Sequence, residues 1–317
     1  MAKYILKRIL IAIPLIFVIS ILCFMLMRAC PYDAVDAMIK PGMSQDAIAL
    51  MRAKYGYDRP AAVQYFAWLG SILSGRMGYS IVSKQSIALD LATRIPNTLK
   101  LMLPSYLTAY VLAIVLGLIA GSHKGRRADK IIDGLASVGI ATPTFWVSML
   151  MMYVFSYRLH VFLSVGMHTV GMEGDFGDFL RHFLMPYIVL IIAFTPDLVR
   201  YVRSSTITQY SEDYVMVQRA FGAKKSEIMF HHVLKNVLLP VLTKLGMALP
   251  MLITGAIITE TIFSWPGVGP YFVTAVSGLD YPVVMMILLL SSTLVVLGNL
   301  LADILCCLTD PRIKDMG

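Results

Sequence analysis

Charge is scarce in this chain. Asp, Glu, Lys and Arg together make up 15% of its 317 residues, against 58% hydrophobic residues and a mean hydropathy of +0.73. A soluble domain carries about 25% charged residues, so these proportions point away from a water-exposed globule and toward an integral membrane protein. Ten-residue stretches of alternating apolar and polar residues are also lacking, which argues against a membrane barrel and leaves helices to cross the hydrocarbon. Cysteine is rare, with four in the chain. Cys23 and Cys30 fall near the outer end of the first apolar run, whereas Cys306 and Cys307 fall at the inner end of the last. Cysteines at opposite ends cannot reach one another, and all are expected to serve as small packing residues.

Catalytic signatures are missing as well. The chain has no GxxxxGK[ST], and its nearest string, GSHKGRR at Gly121 to Arg127, lacks the spacing of a phosphate-cradling loop. HExxH, GxSxG and CxxC are absent. Neither a catalytic nor a metal-ligating set is expected. His231 and His232 are adjacent, so on a helix they point about 100° apart and do not converge on an ion. The 21 methionines are scattered without a repeated spacing, as expected for residues that fill apolar gaps.

Long apolar runs are what the chain has instead. Spanning segments are expected at about 9–30, 99–121, 132–157, 183–203, 238–262 and 281–305. The fourth carries Pro186, Pro196, Asp197 and Arg200, and the fifth carries Lys244, Pro250 and Glu260; prolines are tolerated where neighbouring helices satisfy the freed carbonyls. Asp197, Glu260 and Asp303 lie toward the ends of their segments, where pairing or snorkelling explains them. The net charge of +8 is placed for a bilayer and not for nucleic acid. Lys3, Lys7 and Arg8 precede the first segment, Lys124, Arg126, Arg127 and Lys130 lie between the second and third, and Arg312 and Lys314 follow the last. Arg200, Arg203, Arg219, Lys224, Lys225 and Lys235 surround the connection between the fourth and fifth. Six alternating helices put all of these on one side, so both termini are expected in the cytoplasm. The first apolar run is longer than a signal-peptide core and no small-x-small site follows it, so it is expected to remain as a span.

One membrane domain, 1–317, is therefore expected, with an external loop at 31–97 and an internal loop at 204–237. In the external loop, Ser44 caps and Gly56 stops a short helix over SQDAIALMRAKYG. The amphipathic VQYFAWLGSIL follows, with Tyr65 and Trp68 suited to a membrane interface. Residues 74–97 are expected to be irregular until Pro96.

The internal loop contains SEDYVMVQRAFGAKKSEIMFHHVLKNVLLP, Ser211 to Pro240. Ser211 suits an N-cap, and Glu212 and Asp213 place negative charge in a first turn, where the helix dipole favours it. Tyr214, Val217 and Phe221 recur at i, i+3 and i+7 as an apolar face, and Gly222 can take the left-handed conformation that ends helices. Ser226 and Glu227 can restart a helix, with Phe230, Val233, Leu234, Val237 and Val241 as a second stripe. The pattern fits a hairpin on lipid headgroups, a solvated connector or an element that docks on a cytoplasmic partner.

The stretch DYVMVQRAFGAKKSEIMFHHVLKNVLLP resembles the EAA loop of bacterial ABC-importer permeases of the dipeptide, oligopeptide and nickel branch. KYILKRIL before the first span, RIPNTLKL at Arg94 to Leu101, ETIFSWPGVG at Glu260 to Gly269, DYPVV at Asp280 to Val284 and DPRIK at Asp310 to Lys314 extend the resemblance over nearly the whole chain. It departs from the general motif at Met216, Val217 and Gln218, where E-A-A is usual, at Pro240, to which the terminal proline is displaced, and at Arg76. The resemblance implies an all-α permease of six spans with a cytoplasmic coupling helix in the bacterial inner membrane. Ala220, Phe221, Gly222 and Ala223 would lie at the contact with an ATPase, with Glu212, Asp213, Tyr214, Gln218, Lys224 and Glu227 around it. Trp265, Pro266, Gly267 and Gly269 would form an outer re-entry near the pathway, Trp265 as an interfacial anchor being the alternative. The implied partners are a second permease subunit, two ATPase subunits that hold ATP and magnesium, and an external substrate-binding protein. This chain itself would bind no cofactor. Import of dipeptides or oligopeptides is the main expectation and nickel or another metal chelate the alternative. A self-sufficient secondary transporter lies outside that family, and the midplane carboxylates and inverted repeats that mark one are not evident.

Overall fold

A computed structural model describes residues 2–30, 35, 39, 42–54, 56–163, 165–247 and 257–309. Residues 248–256 of the fifth expected span, Pro250 among them, and the DPRIK motif lie outside the described residues, as do the side chains of Lys3, Lys7, Pro240, Asp303, Cys306 and Cys307. The described helices are α1 (Ala2–Ala29), α2 (Gln45–Lys54), α3 (Ala61–Leu73), α4 (Ile87–Ser122), α5 (Arg127–Ala141), α6 (Thr144–Met151), α7 (Phe176–Tyr210), α8 (Asp213–Ala220), α9 (Lys225–Glu227), α10 (Leu234–Met247), α11 (Ile257–Ile262), α12 (Val268–Ser277) and α13 (Tyr281–Thr309). The all-α class follows the apolar runs. Within α1, α4, α7 and α13 lie stretches long and apolar enough to cross a membrane. On α1, Leu10, Leu22 and Met25 are more than half exposed, the pattern of a surface that meets lipid.

Two segments differ from the expectation. The third span is not one straight helix: α5 and the continuation of α6 through Arg158 meet at a bend of 93°. Thr142 and Pro143 adopt extended conformations there, because proline disfavours helix at the residue before it and cannot donate to the preceding turn. In the external loop, α4 begins at Ile87 and runs through Pro96, so the irregular stretch is confined to 74–86. Ile87 and Leu91 are buried against Val268, Tyr271 and Val283, and that apolar face recruits the first turns into helix. The Ser44 and Gly56 boundaries hold: Ala47 N donates to Ser44 Oγ at 3.2 Å, and Gly56 has φ +77°. Tyr65 is not at an interface but buried on α1, where its hydroxyl and Ser20 Oγ are hydrogen-bonded at 2.7 Å and its ring meets Phe17 and Phe24 edge-on.

The central pair is α4 and α7. A Cβ added at Gly117 would lie 2.5 Å from Val202 Cβ, and one at Gly121 would lie 2.5 Å from Thr206 Cβ. Two glycines four residues apart let the backbones approach, and in hydrocarbon such close packing supplies much of the attraction between helices. Gly139 on α5 faces Pro196 of α7 in the same way, a Cβ there falling 2.5 Å from Pro196 Cγ. A buried cluster from Tyr106 through Leu118 on α4 continues through Leu198, Val199 and Val202 on α7 to Val215 and Ile228 in the internal loop.

Gly121→Val is expected to lower the thermal unfolding midpoint of the detergent-purified chain by an amount equivalent to about 1–3 kcal/mol, the usual cost of overpacking. Gly134→Ala, where an added Cβ meets nothing within 4 Å, is expected to leave it unchanged.

Candidate functional site

The internal loop is built from α7 outward. Ser211 does not start α8 but ends α7, its hydroxyl donating to Ile207 O at 3.0 Å, and Glu212 in extended conformation precedes α8. A hydroxyl within reach of a carbonyl one turn back satisfies that orphan acceptor instead of capping the next helix. The end of α8 closes as a Schellman motif: Gly222 N donates to Arg219 O and Ala223 N to Gln218 O, both at 3.0 Å, with Gly222 at φ +80°. Gln218, half-buried, thus contributes its carbonyl to the turn. Glycine is required here because a side chain is strained at that φ.

The loop's apolar residues divide differently from the expected stripe. Val215 is buried, whereas Met216 and Val217 are exposed and Phe221 is 85% exposed. The core of α7 and α10 takes up Val215, and the next residues along α8 turn outward. In the second stripe Val233, Val237 and Val241 are buried as expected, but Phe230 is exposed and Ile228 takes the inward position. A π-helical turn at Ile228–Val233 causes this, since wider turns shift the register of the face. The helix restarts at Lys225, one residue before Ser226. Tyr214 is half-buried, donating to Gln209 Oε1 at 2.9 Å, with its ring centroid 6.4 Å from that of His232. Glu212, Asp213, Ala220, Gly222, Lys224 and Glu227 are exposed and Ala223 is half-buried.

Beneath the loop, Arg203 of α7 grips Asp129 of α5. Nε donates to Oδ1 at 2.5 Å and Nη2 to Oδ2 at 3.0 Å, while Gly125 N donates to Oδ2 at 2.8 Å. A bidentate pair of this kind fixes geometry as well as charge. Sequence reasoning counted Arg203 only as one more cytoplasmic cation and passed over Asp129. The available signal was a lone acid in the basic turn GRRADK.

The other end of the molecule holds ETIFSWPGVG. Trp265 is completely buried, not an interfacial anchor: Nε1 donates to Asn97 O at 2.8 Å, and Phe179 and Phe183 of α7 flank the ring. Asn97 Nδ2 returns a bond to Pro266 O at 3.1 Å. Behind the tryptophan, Glu260 is fully buried, and its Oε2 accepts from Gly269 N at 2.7 Å while Thr98 Oγ1 accepts from Val268 N at 2.9 Å. The two side chains satisfy the first amides of α12, and negative charge at a helix N-terminus suits the dipole. Glu260 is therefore not snorkelling, and among the described residues no cation pairs with it. A Cβ at Gly267 would stand 2.5 Å from both Glu260 Oε2 and Thr98 Oγ1, and one at Gly269 would stand 2.7 Å from Oε2, so both glycines are spatial requirements. RIPNTLKL and ETIFSWPGVG, distant in the chain, form one knot toward the N-terminal ends of α4 and α7.

Residues 113–315 match the family model described as binding-protein-dependent transport system inner membrane component, and residues 1–102 match that of its membrane component N-terminus. The chain is 39% identical over 315 residues to the oligopeptide transport system permease protein AppB of Bacillus subtilis, covering 99% of this chain and 100% of that protein. It is 33% identical over 337 residues to the di/tripeptide transport system permease protein DppB of Pseudomonas aeruginosa, covering 99% of each. To the glutathione transport system permease protein GsiC of Salmonella typhi it is 32% identical over 314 residues, covering 99% of each.

Thr98→Val is expected to leave the Val268 amide without its acceptor and to lower the unfolding midpoint by the equivalent of about 1–3 kcal/mol, the cost of a buried unsatisfied donor. Thr98→Ser keeps the oxygen and is expected to stay within about 1 kcal/mol of the parent on the same measurement.

Proposed function

The chain belongs to the binding-protein-dependent transport system inner membrane components, a family of multi-pass membrane permeases, and from that membership we propose that it imports dipeptides or oligopeptides as one permease subunit of an ATP-driven complex. The relatives that cover its full length are named for oligopeptide, di/tripeptide and glutathione transport, and this supports peptides as the solute class. A second permease subunit supplies the other half of the pathway, and an external binding protein delivers the solute. Two ATPase subunits hold ATP and magnesium on the cytoplasmic side, where both termini of this chain also lie, in a bacterial inner membrane.

The observation that carries the coupling role is Phe221. It is 85% exposed at the tip of a turn closed by two backbone hydrogen bonds, with exposed Met216 and Val217 beside it and Glu212, Asp213, Lys224 and Glu227 around it. An apolar anchor on a rigid turn, rimmed by charge, suits a cleft in a partner protein. Val215 and Ile228 tie this turn into the packed core of α7, so a push on α8 moves α7 as a body. Helix α7 has 35 residues, about 52 Å at the α-helical rise. Its outer end carries Phe179 and Phe183 against Trp265. In this mechanism ATPase closure, received at Ala220, Phe221, Gly222 and Ala223, shifts the Trp265–Pro266–Gly267–Gly269 segment at the outer mouth and switches access between the two sides. Hydrolysis resets it.

The test is peptide uptake and ATPase activity of the complete complex in proteoliposomes. Phe221→Asp alters only an exposed side chain and is expected to lower uptake at least about tenfold by removing the apolar anchor. Gly222→Pro, which cannot adopt φ +80° and removes the amide bonded to Arg219 O, is expected to uncouple hydrolysis from uptake. Full uptake by both variants would count against this role for α8.

A further inference from the structure

Two charged residues lie within expected spanning segments, one on each side of the internal loop. Asp197 stands six residues before 203, where the fourth expected span ends, and Lys244 six residues after 238, where the fifth begins. At the helical rise each is about 9 Å inside its span. Lys244 Nζ donates to Asp197 Oδ2 at 3.0 Å and lies 4.6 Å from the centroid of the Tyr201 ring. In the Arg203–Asp129 pair the acid is sunk in the packing, its side chain 3% exposed, whereas the Asp197 side chain is 71% exposed and that of Lys244 34%. Among the described residues Asp197 Oδ1 has no hydrogen-bond partner, and an ammonium that directs one of its three donors to Oδ2 has two left. Both groups can therefore receive a further partner without parting from one another.

What faces this pair follows from the helix that carries Asp197. At 3.6 residues per turn, Tyr187, Phe194, Asp197, Tyr201 and Ser204 fall within about 100° of arc on α7. The sixth residue of that arc, Leu190, is buried, so everything it presents to its surroundings is aromatic or polar. Ile192, on the opposite side of the helix, is exposed, and so are Leu10, Leu22 and Met25 of α1; surfaces that meet lipid are aliphatic in this chain. Ionisable residues in a spanning helix face the bundle interior or a water-filled cavity, because hydrocarbon does not solvate them. Its exposure places Asp197 outside the packed interior of this chain. The centre of a subunit interface is depleted of charge as well. Water is the remaining neighbour, and in a permease the water within the membrane marks the route of the solute.

We propose that Asp197 and Lys244 line this route and contact the charged groups of the solute as it passes, Asp197 receiving an ammonium and Lys244 a carboxylate. The open acceptor on one residue and the open donors on the other complement the two ends of a zwitterion. Both side chains are solvated, so each contact is weak enough to be released as well as formed, as passage requires. The inference rests on the import reading and deepens it by naming residues that select the solute by charge.

One experiment compares uptake of lysyl-alanine and aspartyl-alanine by the complete complex in proteoliposomes, with the same external binding protein throughout so that its own preference cancels between variants. Asp197→Asn is expected to lower the ratio of lysyl-alanine to aspartyl-alanine uptake about tenfold, and Lys244→Gln to raise it about tenfold, the scale of one charge-assisted hydrogen bond. A pair that serves only the fold would slow both peptides alike, and a ratio unchanged in both variants overturns the proposal. A second experiment needs no uptake. In a complex whose chain has its four cysteines replaced by alanine, Asp197→Cys is expected to react with a charged methanethiosulfonate in nanodiscs at least about tenfold faster than Leu22→Cys on α1, because the reactive thiolate forms in water and not in lipid. Equal rates would mean that lipid or another subunit covers this face of α7, and would overturn the proposal whatever the uptake. Failure of the wild-type complex to take up either peptide would sink the import reading instead, and a fast-reacting Asp197→Cys would then still uphold the water-filled route.

Discussion

The approach of α4 to α7 is the constraint on which the rest of this molecule depends. Gly117 and Gly121 present no side chain where Val202 and Thr206 need room, so the two longest helices lie against one another in the apolar interior. In hydrocarbon there is no hydrophobic force between helices, and the available attraction is close packing together with polar bonds that have no water to compete with them. Both kinds occur along this one pair, the polar bond being that between Thr108 Oγ1 of α4 and the Tyr187 hydroxyl of α7 at 2.7 Å. Toward the C-terminal end of α7, Arg203 also holds Asp129 of α5, and toward its N-terminal end Phe179, Phe183 and Leu190 meet Leu101 of α4 around Trp265.

That arrangement gives α7 a mechanical character that its two prolines do not suggest. Pro186 and Pro196 sit inside the helix without breaking it, and Pro196 is used as a surface on which Gly139 of α5 packs. The internal loop continues directly from this helix. Because Val215 and Ile228 join the same buried cluster as Val199 and Val202, the exposed Phe221 is displayed on a turn anchored to α7 through that cluster. The residues of α8 divide between the core, which takes up Val215, and the surface, where Met216, Val217 and then Phe221 lie exposed.

The N-terminal ends of α4 and α7 follow a different logic. Glu260 would be costly in an apolar interior, yet it is retained where the first amides of α12 require an acceptor, and Thr98 of α4 shares that duty. The chain folds back on itself at Trp265, Pro266 and Gly267, where the Pro266 carbonyl is met by the Asn97 side chain and the Trp265 indole by the Asn97 carbonyl, while Glu260 Oε1 is buried without a partner among the described residues. A buried irregular backbone is tolerated only when other protein groups satisfy it. Asp280 plays a comparable part for the 80–85 turn, its Oδ2 accepting from Ser80 Oγ and from Val82 N.

The amino-acid sequence by itself determined the class of the molecule. Apolar runs of spanning length, cations gathered on alternate connections and the glycine that ends α8 are local properties, readable because hydrocarbon thickness, lipid charge and backbone sterics act on short stretches of chain. The same locality explains what was misread: Ser211 could cap one helix or finish another, and Phe221, Val217 and Phe230 looked like core because periodicity reports an apolar face without saying what covers it. Only the tertiary structure decided that Val215 and Ile228 take the inward positions, that α5 turns sharply at Thr142 and Pro143, and that α4 begins at Ile87. It alone joined Asp129 to Arg203, Thr98 and Glu260 to α12, and Asp280 to Ser80. Those pairings link residues far apart in the chain, and their partners are chosen by the packing of helices, which no single stretch of sequence contains.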